Sequence, residues 1–380
     1  MMRNSLEKPA RQRIVIKIGS HVLTKNGAFT AERVERLAEQ IMALVHAGNE
    51  LLLITSGAVL MGKSMLNLQL SFYPRHLKQS LAAIGQVDLI SEYAKIFSKL
   101  DQPIAQILIN LEDFQHHHRY LNIKETIQGL FKLGVLPILN ENDTIYTEDM
   151  SFGDNDSLAA QVASMLDANL LVILSTVDGL YDGHPNDASS SIIPEVAAIT
   201  DKMISDAHAK GQLLSTGGMR AKLQAIRTTN HVGVPVVLAN GTSPGILNKI
   251  FEGQPVGTLF YPEAKRMPLK KRWIAYSANT KGTIIIDEGA RRAIMGHKAS
   301  LLSSGVTGIE GEFDAQDPVV ISTIKGAIIA RGITNYGWQD LNAIAGLSSD
   351  ESAKTLGSNF FNEVVHREQL VLLPQKAEES

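Results

Sequence analysis

The sequence predicts an α/β protein: a three-layer αβα sandwich around a mainly parallel sheet, followed by a small β-rich domain. Three observations carry this. From "RIVIKI" (13–18) to about Phe260, short aliphatic runs alternate with longer amphipathic stretches, the order that builds a sheet covered by helices. Those runs are continuous in polarity rather than alternating, which suits strands covered on both faces. Beyond "VGTLFYPEA" the chain changes to shorter runs separated by glycine turns, the pattern of a second, β-rich unit.

Taken in order, the expected strands of the first unit are "RIVIKI", "ELLLIT", "PIAQILI", "GVLPIL", "LLVILS" and "VPVVLA". Between them, helices are expected at 31–47, opened by Thr30 and closed by "AGN", and at 77–98. The expected organisation is an N-terminal tail (1–12), a large α/β domain (13–264), a basic proline-containing linker "KRMPLKKR" (265–272), a β-rich domain (273–372) and a frayed end (373–380). The β-rich part carries "TIIID", "PVVIST" and "GAIIARG". The triplet of His116, His117 and His118 reads as a solvated loop rather than a metal tract, because consecutive side chains there point in different directions.

Composition narrows the chemistry. With 36 Lys plus Arg against 39 Asp plus Glu, the net charge of −3 gives no global pull toward nucleic acid or anionic membrane. Any polyanion must be held locally. No cysteine is present, which removes disulfides, thiolate zinc sites and cysteine nucleophiles together. There is no HExxH either. The apolar stretch after the basic N-terminus is a six-residue strand interrupted by Lys17, too short for a signal-peptide core. No window reaches a membrane span, so a soluble cytoplasmic protein is expected.

In parallel α/β sheets, ligands bind where strands end and lead into helices. The first strand ends in "KIGSHVLT", with Lys17 inside an apolar run; it needs an anionic partner or must snorkel from an edge strand. Ser56 and Gly57 in "TSGAVLMG" either allow close approach of an anion or cap the following helix. "NENDT" packs Asn140, Glu141, Asn142 and Asp143 into one loop, which satisfies its own backbone as Asx turns do or recognises an ammonium group. In "LLSTGGMRAKLQAI", Gly217 and Gly218 open a helix and Lys222 lies about one turn in. Lys222 either reaches back to a phosphate held at the glycine loop or stands on the surface.

No GxG occurs anywhere, which excludes the Rossmann fingerprint and the protein-kinase glycine loop. The string GxxxxGK[ST] occurs once, as "GAVLMGKS" (57–64), but it falls in the helix expected after Gly57 rather than in a loop, so no Walker-type NTPase is expected. Yet "VIKIGSHVLT", "LLITSGAV", "PILNENDT", "FGDNDSLAA" and "STGGMRAKLQAI" follow one another over residues 13–260. In that order they closely resemble the glutamate 5-kinases of the amino acid kinase fold. "KRWI" and "TIIIDEGARRAI" look like the PUA domain of bacterial members. The resemblance implies transfer of the γ-phosphoryl group of ATP, with Mg2+, to the side-chain carboxylate of L-glutamate, the first step toward proline.

It also implies roles for individual residues. Lys17 and Lys222 reach the phosphates and Asp156 organises them, which makes these three the catalytic set. Ser56, Gly57, Asp143 and Asn155 bind the substrate, Asp143 through its ammonium group. Ser175, Thr176, Thr216, Gly217, Gly218, Met219, Arg220, Ala221, Lys17 and Lys222 line the nucleotide. Asp154 caps the loop or assists a metal, and Mg2+ is carried mainly by the ATP phosphates. Ser175 and Thr176 replace the usual Thr-Asp, and His184 replaces a usual aspartate. Proline inhibition, a homo-oligomer (dimer or tetramer) and hand-over of product to glutamate-5-semialdehyde dehydrogenase follow from the family alone. Two rival readings are another kinase of this fold, acting on N-acetylglutamate or aspartate, and an RNA-binding protein using Lys265, Arg266, Lys270, Lys271 and Arg272; a solvated hinge is the simpler account of that basic run.

Overall fold

Runs of Ile, Val and Leu pair because each buries both faces once helices cover the sheet. The computed structural model, which describes residues 11–25, 28–68, 74–145, 155–185, 187, 189–209, 218–262, 267–297 and 299–373, contains an eight-stranded sheet. Its strands are β1 (Arg13–Ile18), β2 (Glu50–Ile54), β3 (Ile104–Ile109), β4 (Leu136–Glu141), β5 (Leu170–Ser175), β6 (Glu195–Val196), β7 (Val236–Asn240) and β8 (Thr258–Phe260). Their order is β3-β4-β2-β1-β5-β7-β8-β6. β1 lies in the middle, with Val15 opposite Leu52 on one side and Leu171 on the other, both pairings parallel. β8 runs antiparallel to β7, so the sheet is mainly parallel.

The core follows from that order. Ile14, Val15, Ile16, Leu52, Leu53, Val172 and Ile173 are fully buried. β3 departs from the expectation of strands covered on both faces: it is the edge strand, and Gln106 and Leu108 are exposed. A continuous aliphatic run does not reveal which strand ends the sheet.

Helices α1 (Ala31–His46), α2 (Ala58–Met65), α3 (Arg75–Ser98), α4 (His117–Lys132), α5 (Asn155–Met165), α6 (Asp201–Ala209) and α7 (Met219–His231) accompany the sheet. In α1, Val34, Leu37, Ala38, Ile41 and Met42 are buried at helical spacing. α3 begins directly after Pro74, two residues ahead of the expected start. His117 and His118 open α4 instead of lying in a loop, and all three histidines of the triplet are exposed.

α2 and α3 pack at backbone distance through two glycines. A Cβ on Gly62 would stand 2.0 Å from the Leu81 carbonyl oxygen, and one on Gly85 would stand 1.9 Å from that of Ala58. Gly85→Ala would raise helix propensity by up to about 1 kcal/mol, but it must push the helices apart at a cost of about 1–3 kcal/mol. A fall in Tm of about 5 °C is expected; an unchanged melting curve would show that the contact yields freely.

The chain divides into two compact units, Met1–Asp113 with His118–Arg266, and Phe114–His117 with Met267–Ser380. The second holds a five-stranded sheet of β9 (Gly282–Ile286), β10 (Val306–Glu310), β11 (Pro318–Thr323), β12 (Ile328–Ile333) and β13 (Leu370–Leu372), in the order β10-β9-β11-β12-β13. Ile284, Ile286, Val319, Ile321, Ile329 and Val365 form its core. The basic run differs from a solvated hinge at its end: Leu269–Arg272 is helical, Arg272 is buried, and its Nε donates to the Met267 carbonyl at 2.6 Å. Lys265 and Arg266 lie outside the described residues. Among the described residues no helix is long and apolar enough to cross a membrane.

Candidate active site

Four adjacent central strands, β4, β2, β1 and β5, point their C-terminal ends at one cavity of about 350 Å³. Lys17 stands near the end of β1, on the central strand and not at an edge, with 6 % of its surface exposed. The turn after it is held tight by Gly19, whose amide donates to the Leu174 carbonyl at 3.0 Å. A Cβ there would sit 3.2 Å from that same oxygen. Asp156 is the second residue of α5, and Lys222 lies in the first turn of α7.

These three side chains meet. Lys17 Nζ is 2.8 Å from Asp156 Oδ1, and Lys222 Nζ is 2.9 Å from Asp156 Oδ2. All three are buried. Burial alone would push the Asp156 carboxyl up, but the charges and hydrogen bonds of Lys17 and Lys222 outweigh it and hold the group at about 2. One carboxylate therefore aims two lysine side chains into the cavity.

Beside it lies a polar cluster. Gly57 precedes α2 with φ of 112°, a left-handed conformation that favours glycine. Ser56 does not cap the helix; its Oγ accepts from Asn155 Nδ2 at 2.8 Å. Asn155 Nδ2 also lies 2.8 Å from the Thr55 carbonyl and 3.0 Å from Asn140 Oδ1. Asp143 opens the short turn Asp143–Ile145. Burial pushes its carboxyl up to about 6.

The cavity is lined by Lys17, Ser56, Gly57, Asp143, Asn155, Asp156, Ser175, Thr176 and Lys222. Met219, Arg220 and Ala221 share the start of α7 but do not line it; Met219 instead faces a smaller neighbouring cavity of about 100 Å³ with Leu180 and Tyr181. Gly218 is the residue before α7. Thr216, Gly217 and Asp154 lie outside the described residues. Near the Ser175–Thr176 end, Asp178 is committed to its own loop, accepting from Asn240 Nδ2 at 2.9 Å and from the Tyr181 hydroxyl at 3.2 Å.

Sequence reasoning missed two lining lysines, Lys63 on α2 and Lys78 on α3. The available trace was Gly62, which seats α2 on α3 one residue before Lys63. Four lysines thus face two aspartates around the cavity, a surface that attracts anions and suits a polyphosphate meeting a carboxylate. Among the described residues no group of three or more His, Asp or Glu side chains forms a metal cage.

Sheet, strand-end cavity and paired lysines describe a phosphoryl-handling site; the GxxxxGK[ST] string at 57–64 is not a phosphate loop, because Ala58–Met65 is helix α2. Residues 12–240 match the Amino acid kinase family, and residues 282–356 match the PUA domain. Glutamate 5-kinase of Thermoanaerobacter sp. (strain X514) is 42% identical over 95% of this chain and 98% of its own length. The glutamate 5-kinases of Carboxydothermus hydrogenoformans and Myxococcus xanthus are 41% and 38% identical, each over 95% of this chain and over 98% and 96% of their own. A solved UMP kinase from Bacillus anthracis superposes with TM-score 0.45 and 16% identity, over 67% of this chain and 97% of that one. The chain belongs to the amino acid kinase family and, within it, to the glutamate 5-kinases with a PUA domain.

Proposed function

We propose that the protein transfers the γ-phosphoryl group of ATP to the side-chain carboxylate of L-glutamate, forming L-glutamyl 5-phosphate on the route to proline. The observation that carries this reading is the sharing of Asp156 between Lys17 and Lys222 at the strand ends. The acceptor carboxyl titrates near 4.3 and is already ionised at neutral pH, so no general base is needed. The difficulty is like-charge repulsion between carboxylate and triphosphate, and then charge spread over the transferring group. Lys17 and Lys222 meet both demands from fixed positions.

Mg2+ fits this site as an ion held by the triphosphate, because Asp156 is already engaged by two lysines. It would neutralise phosphate charge there. Ser56, Asn155 and Asp143 form the end of the cavity that receives glutamate, Asp143 facing the ammonium group. Ser175 and Thr176 lie on the nucleotide side together with Lys222; a nucleotide role for Thr216 through Ala221 rests on the family resemblance alone. Feedback inhibition by proline fits the same ammonium-binding end, since both ligands carry an α-amino acid head. A homo-oligomer and transfer of the labile acyl phosphate to glutamate-5-semialdehyde dehydrogenase complete the reading.

The test is ADP release with MgATP against L-glutamate, N-acetylglutamate, L-aspartate, carbamate and UMP, with hydroxylamine added to trap an acyl phosphate. Glutamate-dependent ADP release with a hydroxamate supports the proposal. Turnover of another acceptor alone overturns it.

Asp143 adds a pH signature. Its raised pKa means the folded state holds that proton more tightly than the unfolded chain, so its contribution to stability is present at low pH and lost as pH rises through about 6. An ammonium partner needs the ionised form. The KM for glutamate is therefore expected to rise about tenfold per unit as pH falls below about 6. Asp143→Asn should flatten that profile, raise KM about 30-fold and weaken proline inhibition with it. A wild-type KM that is constant between about pH 7 and about pH 5 would remove Asp143 as the ammonium's partner.

A further inference from the structure

Gln86, on α3, reaches the site without lining its cavity. Its Oε1 accepts from Asn140 Nδ2 at 2.7 Å. Asn140 Oδ1 accepts from the Glu141 amide at 2.9 Å and from Asn155 Nδ2 at 3.0 Å. The other neighbours of Asn155 Nδ2, the Thr55 carbonyl and Ser56 Oγ, both stand at 2.8 Å. Among the described residues, Asn155 Oδ1 is buried with no hydrogen-bond partner.

The direction of each bond follows from this arrangement. Asn140 Oδ1 must accept, because the Glu141 amide only donates, so its Nδ2 must donate and needs an acceptor. Gln86 Oε1 supplies one. Turning the Asn155 amide over would set its oxygen against the Thr55 carbonyl and Asn140 Oδ1, both acceptors, so Asn155 has one orientation. The Asn155 NH2 has two hydrogens for three neighbouring oxygens and cannot accept, so the hydroxyl hydrogen of Ser56 is left to donate elsewhere, and Ser56 lines the cavity. A second contact from the same face of α3 braces the neighbouring strand end: Tyr93, seven residues on from Gln86, has its hydroxyl 3.0 Å from Thr55 Oγ1.

We propose that Gln86 is a positioning residue for the acceptor substrate: through Asn140 and Asn155 it turns the Ser56 hydroxyl hydrogen toward a substrate carboxylate. This rests on the acidic-acceptor reading above. The unmatched Asn155 Oδ1 is a standing cost that a substrate N–H would relieve. Gln86 acts on binding of the acceptor and not on the nucleotide, because the relay ends at Ser56 and Asn155 and includes neither Lys17 nor Lys222.

Steady-state kinetics of Gln86→Leu and Gln86→Glu, with melting curves for both, test it. Leucine cannot accept from Asn140, whereas a glutamate carboxylate can. Q86L is expected to raise the acceptor KM about tenfold, with kcat and the ATP KM within about twofold of wild type. Q86E is expected to stay within about twofold of wild type throughout. An unchanged acceptor KM in Q86L, equal impairment of the two variants, or a loss spread over kcat and ATP KM overturns the proposal. Gln86→Met replaces Q86L if the leucine variant melts early. Should wild type fail to turn over L-glutamate, the acceptor assignment falls, and the relay is read with whichever acceptor in the panel supports ADP release.

Discussion

Asp156→Asn is expected to lower turnover by about three orders of magnitude while leaving the KM for glutamate within a few-fold of wild type. The carboxylate touches Lys17 at 2.8 Å and Lys222 at 2.9 Å. Its replacement removes the charge that holds two long, flexible side chains in one geometry. Positioned cations act on the transferring group because they need no reorganisation when charge develops there. The amide of asparagine presents one oxygen and one NH2, so one lysine would face a donor.

The same substitution affects stability. It leaves two buried ammonium groups without their counter-ion, at a cost of about 3–5 kcal/mol, or a fall in Tm of about 10 °C. The pH dependence has a definite sign. Asp156 is held at about 2, below the usual value of 3.8, so its stabilisation is present at neutral pH and lost as pH falls through about 2. Kinetics should be measured well below the variant's Tm. A folded variant with turnover within tenfold of wild type would reject the assigned role.

Lys222→Met is the second large effect. Methionine is unbranched and close in length, so it fills the space with little strain. Asp156 keeps Lys17 as its partner, and the fold should tolerate the change better than loss of the carboxylate. Turnover is expected to drop about 10²- to 10³-fold, the scale of losing one charge-stabilising donor in a transition state. The KM for glutamate should move little, because Ser56, Asn155 and Asp143 are untouched. Near-normal turnover, or a loss confined to the glutamate KM, would remove Lys222 from phosphoryl transfer.

Particular elements show how far the sequence carried. "RIVIKI" and "LLVILS" coincide with β1 and β5, and "PVVIST" with β11. Their burial is written in their composition, since a strand covered on both faces has no polar positions to alternate. "PIAQILI" has the same texture, yet β3 is the edge and exposes Leu108. Arg272 looked like one charge in a solvated run and is buried. Its burial rests on a carbonyl five residues back and on packing that no local pattern records. Lys63, Lys78 and Gln86 were invisible for a related reason: helices α2 and α3 bring them to the site, and spacing along a helix does not say which neighbour it faces.

By itself the sequence determined the α/β alternation, the segments around the strand ends that carry Lys17, Ser56, Asp143, Asp156 and Lys222, and the family to which their order belongs. The resemblance implied that Asp156 organises Lys17 and Lys222; the tertiary structure alone decided that each lysine takes one of its two oxygens, and that Ser56, Asn155, Asn140 and Gln86 form one relay. Polarity patterns and turn residues register burial and local backbone geometry. Which side chains come within 3 Å of one another depends on strand order and helix packing, and those are settled by contacts between residues far apart in the chain.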